Sequence, residues 1–194
     1  MRLAGLRYFP PTLDKENMAQ ESLMQDAAVL VPVYRSGDGE IRVVMVLRSL
    51  GGVHGGQIAF PGGKRDPRDA SMLETALRET WEEVGLTSDR IEVLTQLPMA
   101  ETRTTGYRVH PFLGRIKAPI LWQRAEREIA EILDVSLADL ARPEAHAQII
   151  DRFSTRREPA KVSFYQVGPY RLWGLSYRIL HPLIPRLIAG EWLI

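Results

Sequence analysis

Phe60-Pro61-Gly62-Gly63, followed after a polar loop by Arg78-Glu79-Thr80-Trp81-Glu82-Glu83-Val84-Gly85-Leu86, is the stretch around which the chain organises. Glutamates 79, 82 and 83 stand at i, i+3 and i+4, so on a helix they share one turn and one face. Like charges at that spacing cost a bare helix about 0.2–0.5 kcal/mol per pair. A hard divalent cation offsets the repulsion, because it binds a few carboxylates and fills its shell with waters and substrate phosphates. Gly62 and Gly63 let the backbone approach an ion or phosphate with no Cβ in the way. Taken alone, the three glutamates read as a solvated helix face, the commonest role of such a cluster. Arg78 before them, Gly85 after them and the glycine pair upstream favour metal-assisted attack on a phosphoanhydride.

Reading outward, Ser71 with Glu74 three residues on is a capping-box signature, with Asp69 as a competing N-cap. The predicted helix runs to about Val84 on an apolar stripe of Leu73, Ala76, Leu77, Thr80, Trp81 and Val84, with Trp81 read as core, and Gly85 ends it. Upstream, Ala27 to Tyr34 and Ile41 to Arg48 form a predicted hairpin around Ser36-Gly37-Asp38-Gly39, and Ile58-Ala59-Phe60 is a short strand. Residues 1–25 read as an irregular or partly helical N-terminal extension. Downstream, strands are predicted at Ile91 to Leu97 and Tyr107 to Ile116, and a helix or bulged segment at Glu126 to Leu133. A short helix follows at Ser136 to Leu140, then a hairpin of Val162 to Val167 with Tyr170 to Leu175. A helix interrupted by Pro182 and Pro185 spans Tyr177 to Ala189. This order predicts one α/β (α+β) domain over 1–194, with its core at about 27–185 and a mixed sheet covered on both faces.

Composition narrows the function classes. The 194 residues are 45% hydrophobic and 25% charged with a formal charge of +1, so net charge implies no polyanion partner. Twenty-one of the basic residues are Arg and four are Lys, which suits bidentate phosphate recognition but also follows from skewed genome composition. The absence of cysteine excludes thiol nucleophiles and cysteine-ligated zinc. No apolar run reaches the roughly 18–20 residues of a membrane span, and no helix-turn-helix or basic stripe points to nucleic acid. A soluble cytoplasmic protein is the expectation.

The central stretch resembles the Nudix box, G-x5-E-x7-R-E-U-x-E-E-x-G-U, where U is aliphatic. Gly63, Arg78-Glu79, Glu82-Glu83, Gly85 and Leu86 match it. Thr80 replaces an aliphatic residue, Asp69 stands where the upstream glutamate belongs, and the interval from Gly63 to Arg78 is one residue longer. Leu47-Arg48-Ser49, Gly56 and Phe60-Pro61-Gly62-Gly63 are further similar to the signature of the coenzyme A diphosphatase branch, although Gly52 stands where that signature has an arginine and Val46 where it has a threonine.

The resemblance implies a Nudix-type α/β/α sandwich with a central mixed sheet. It implies Mg²⁺ or Mn²⁺ held by Glu79, Glu82, Glu83 and the Gly63 carbonyl, with Arg78, Glu79 and Glu128 as catalytic residues. Arg48, His54, Gln57 and Gly62 are the implied contacts to substrate. His54 reads equally as a turn residue, Glu131 and Glu101 are further candidate bases, and helix capping is an equal reading for Asp69. The implied substrate is coenzyme A or a derivative, cleaved to 3′,5′-ADP and 4′-phosphopantetheine. ADP-ribose, a dinucleotide or a nucleoside triphosphate is the alternative, and a non-catalytic ligand-sensing or nucleic-acid-binding module a remote one. A homodimer is compatible with the resemblance.

Overall fold

The computed structural model describes residues 24–51, 54–102, 106–118, 121–151 and 160–194. The expectations for the N-terminal extension and for Gly52 therefore lie outside the described residues, apart from Met24 and Gln25. The chain opens with β1 (Gln25–Arg35) and β2 (Ile41–Arg48), an antiparallel hairpin with Val33 opposite Val43, as its turn chemistry predicts. The two strands then part. The short strands β3 (Ile58–Ala59) and β4 (Gly62–Lys64) fill the opening, β3 pairing with β2 and β4 with β1. No strand is predicted from the sequence at Gly62-Gly63-Lys64. Pairing with Ala27–Val29 of β1 makes it a strand, against its low intrinsic propensity.

Helix α1 (Met72–Val84) lies against β1 and β4. Ser71 Oγ accepts from Glu74 N–H at 3.1 Å, so Ser71 is the N-cap, and Asp69 is not. Gly85 ends the helix in the left-handed region (φ 73°), with its N–H returned to Trp81 O. Its buried residues are Thr75, Ala76, Thr80, Glu83 and Val84. The expected stripe is therefore rotated, and Trp81, read as core, is 56% exposed. Thr80 is fully buried because its hydroxyl donates to Ala76 O at 2.6 Å, satisfying the polar atom within the helix.

Strands β5 (Ile91–Gln96) and β6 (Ala100–Glu101) pair antiparallel with β7 (Tyr107–Ile116), which runs parallel to β1 over nine residues. β8 (Ile129–Ser136) pairs antiparallel with β2. The Glu126 to Leu133 region is thus turn and strand, and its alternative reading as a helix is overturned. One register shift explains the ambiguity: Leu47 faces Glu131 but Arg48 faces Ile129, so Ala130 is an extra residue. The result is a mixed eight-stranded sheet.

On the face away from α1 lie α2 (Leu137–Leu140) and the three-stranded sheet of β9 (His146–Asp151), β10 (Ala160–Val167) and β11 (Tyr170–Trp173), with α3 (Gly174–Leu180) and α4 (Leu183–Ile188). The single interrupted C-terminal helix of the sequence reading is two helices, divided at His181-Pro182. Pro185 is accommodated early in α4, where no intrahelical bond needs its missing N–H. Two apolar cores result. One joins the sheet to α1 through Ala28, Leu30, Val44, Val46, Ala76 and Ile129. The other joins its opposite face to α2–α4 through Val31, Met45, Leu133, Leu137 and Leu180. Among the described residues no helix is long and apolar enough to cross a membrane.

Candidate active site

The opening between β1 and β2 places Gly62 and Gly63 beneath α1. A Cβ on Gly63 would sit 2.4 Å from Glu79 Cδ, and one on Gly62 would sit 2.3 Å from Ala28 O. Only bare backbone leaves room there for the Glu79 carboxylate on one side and β1 on the other. Gly62 N–H donates to Glu83 Oε2 at 3.0 Å, and Arg48 Nη1 donates to Glu83 Oε1 at 3.2 Å. Glu83 is thus 2% exposed with both oxygens partnered. Burial pushes its carboxyl up to about 7, opposed by the Gly62 N–H and Arg48 and assisted by Glu79 and Glu128. Burial also raises Glu79, against the pull of Arg78 and with the push of Glu82 and Glu128.

Arg78 is the frame of this turn. Its Nε and Nη2 grip the two oxygens of Asp69, each at 2.9 Å, and Nη2 also donates to Lys64 O at 3.1 Å. Its Nη1 holds Glu79 Oε1 at 2.9 Å and Glu82 Oε2 at 3.0 Å. A fork whose donors are already committed positions glutamates. Asp69 accepts further bonds from the Thr75 hydroxyl at 2.8 Å and Asp66 N–H at 2.9 Å. The Arg78 guanidinium holds its carboxyl well below the usual range although burial opposes this. The loop acid therefore anchors Arg78. Thr75 and the Lys64 carbonyl were missed in the sequence. No sequence signal marked Thr75, which shares a polar helix side with Ser71, Arg78 and Glu79.

Glu128 lies on the exposed turn before β8 and is fastened to the end of β2, where Ser49 N–H donates to its carbonyl at 2.8 Å. Its charge acts on both Glu79 and Glu83. The structure thus brings together Arg48, Gly62, Gly63, Arg78, Glu79, Glu82, Glu83 and Glu128. Gln57 contributes through its backbone, its carbonyl accepting from Arg48 N–H at 3.0 Å. His54 is exposed in the adjoining turn. Glu131 is turned toward the opposite face, where it accepts from the Tyr170 hydroxyl at 2.9 Å. Glu101 pairs loosely with Arg108 at 3.9 Å.

Five carboxylates (Asp69, Glu79, Glu82, Glu83 and Glu128) face two guanidiniums, an acidic surplus suited to a hard divalent ion. Glu79 Oε2 and Glu82 Oε1 accept no hydrogen bond from described residues, and Glu79 lies directly against the Gly63 backbone. That donor set fits a magnesium-like ion. In this arrangement no three acidic or imidazole groups among the described residues form a ready-made cage, since the two arginines hold the carboxylates.

Comparison with known proteins agrees with this layout. A NUDIX domain model matches residues 24–155. The chain is 32% identical over 170 residues to the uncharacterized Nudix hydrolase NudL of Cronobacter sakazakii, covering 87% of this chain and 86% of that protein. It is 35% identical over 161 residues to NudL of Photorhabdus laumondii, covering 81% and 82%. A crystal structure of the Nudix hydrolase RenU from M. smegmatis superposes with a TM-score of 0.61, covering 88% of this chain and 89% of that one. At 18% identity, that likeness concerns the fold alone.

Proposed function

The chain belongs to the Nudix hydrolase family, and from that premise we propose that it hydrolyses the diphosphate of coenzyme A or a close derivative, giving 3′,5′-ADP and 4′-phosphopantetheine. The observation that carries the substrate class is the Leu47-Arg48-Ser49 to Phe60-Pro61-Gly62-Gly63 lead-in, whose Arg48 reaches the acidic helix at Glu83. Glu79, Glu82 and Glu83, with the Gly63 carbonyl, would hold Mg²⁺ or Mn²⁺. Such an ion neutralises the diphosphate and lowers the pKa of a bound water.

The protein's own groups supply the rest. Arg78 sets the rotamers of Glu79 and Glu82 through its fork on Asp69. Glu128, exposed and close enough to act on both Glu79 and Glu83, takes the proton from the attacking water. In this reading Arg48, His54, Gln57 and Gly62 contact the substrate. A cytoplasmic location and a homodimer belong to the same reading, checked by fractionation and light scattering.

A second reading is favoured by one residue. Gly52 replaces the signature arginine, which removes a cation available to substrate phosphate, and ADP-ribose, a dinucleotide or a nucleoside triphosphate becomes a competing substrate. All three box glutamates are retained, which speaks against a non-catalytic module. The test is product identification from a substrate panel with Mg²⁺ and Mn²⁺. Coenzyme A should have the highest kcat/KM. Far faster turnover of ADP-ribose or a nucleoside triphosphate removes the coenzyme A assignment.

A further inference from the structure

The two guanidiniums of the site are held in different ways. Arg78 is tied to Asp69 and the Lys64 carbonyl as well as to the glutamates, so it stays when the glutamates change partner. The Arg48 side chain has Glu83 as its sole hydrogen-bond partner among the described residues. Its backbone, by contrast, is clamped on both sides. Its N–H donates to Gln57 O and its carbonyl accepts from Gly56 N–H, each at 3.0 Å. A third of the Arg48 side chain (33%) remains open to solvent while the carboxylate it serves is closed off.

A buried carboxylate left without a cation is strongly disfavoured, so an empty site needs an internal counter-charge. A divalent ion at Glu83 supplies that charge instead and repels the guanidinium. Arg48 then leaves Glu83 with its five donors free, in the fork geometry that suits phosphate oxygens.

We propose that Arg48 is an exchangeable counter-cation for Glu83, displaced by the divalent ion and thereby released to grip the substrate diphosphate. This rests on the metal-dependent reading given above and adds an order to it. Metal entry arms the diphosphate-binding arginine, so the ion binds before the substrate.

The test uses the intact protein, calorimetric titration with Mn²⁺ alone at pH 8.5, and circular dichroism to confirm the fold. Arg48→Gln should bind Mn²⁺ about tenfold more tightly than wild type because no cation has to leave. Arg48→Lys, which keeps the charge, should stay near the wild-type affinity. Pyrophosphate added to the Mn²⁺-loaded proteins should bind about tenfold more weakly to Arg48→Gln than to wild type. Unchanged or weaker Mn²⁺ affinity in Arg48→Gln, or unchanged pyrophosphate affinity, overturns the exchange. Should the glutamine variant not fold, wild type labelled with ¹⁵N-arginine decides. The Arg48 side-chain signal, assigned against Arg48→Lys, must move on adding Mg²⁺, and a fixed signal refutes the exchange. Absence of Mn²⁺ uptake by every protein would instead remove the metal reading itself, and neither titration depends on coenzyme A being the substrate.

Discussion

Replacing Asp69 by Asn tests the frame beneath the site without touching the glutamates. The asparagine has the same outline and retains one carbonyl oxygen, but it loses the charge that Arg78 grips through two bonds of 2.9 Å. Breaking one side of a buried pair costs about 3–5 kcal/mol, and a hydrogen bond to a charged group is worth about 1.5–3. Asp69 is buried, but a quarter of the Arg78 side chain (24%) reaches solvent, and screening puts the loss near the low end, about 2–3 kcal/mol. In a domain of this size that is a fall of about 4–12 °C in Tm. The pH dependence identifies the cause. Because the folded carboxyl is held below its unfolded value near 3.9, its stabilisation is complete above that pH and disappears as pH falls toward the folded pKa. Urea titrations with EDTA should show the same gap between wild type and Asp69→Asn at pH 7 and pH 5. By pH 3 the gap should close by about 1 kcal/mol. A gap as wide at pH 3 as at pH 7 would refute the ionic anchor and leave only a shape effect.

The buried Glu83 behaves with the opposite sign. Its carboxyl is raised from 4.5 to about 7, so its contribution is full below pH 4.5 and is lost as pH rises through 7. Metal-free wild type should therefore lose up to about 3 kcal/mol relative to Glu83→Gln between pH 5 and pH 8, and parallel Tm profiles of the two would contradict this. Glu79→Gln and Glu83→Gln should each keep the fold by circular dichroism while losing most metal-dependent turnover; undiminished activity in both rules out the site. Gly63→Ala drives a methyl into the Glu79 carboxylate and should lower Mn²⁺ affinity about tenfold, with Tm as the check on folding. Trp81→Ala should cost less than about 1 kcal/mol in urea, against about 3–5 for a core tryptophan.

The acidic helix was legible in the sequence because both of its ends carry cap chemistry and its glutamates have an uncommon spacing. Its orientation was not legible. Assigning every apolar residue to the core turned Leu77 and Trp81 fully inward, whereas the buried side is built on Thr75, Ala76, Thr80, Glu83 and Val84, with Leu73 partly buried at its edge. Here Glu83, a carboxylate of the candidate site, occupies an interior position, which hydrophobic patterning reads as solvent. β4 was hidden because glycine carries no strand propensity of its own and depends on β1 for pairing. β8 was blurred by the extra residue that interrupts its alternation. Asp69 was found by its spacing, but its service to Arg78 could be seen only once the loop had folded back on the helix.

That extra residue at Ala130 gives the chain an uneven tolerance of length. Above it, Leu133 and Val135 point into the core on the α2–α4 side; below it, Ile129 points to the α1 side. Deleting Ala130 would place Ile129 directly before Glu131 and restore simple alternation with Ile129 still on the α1 side, because Leu47–Glu131 and Arg48–Ile129 are already consecutive pairs on β2. A codon lost here would be absorbed, whereas loss of Asp134 would exchange the faces of the strand and turn Leu133 out of its core.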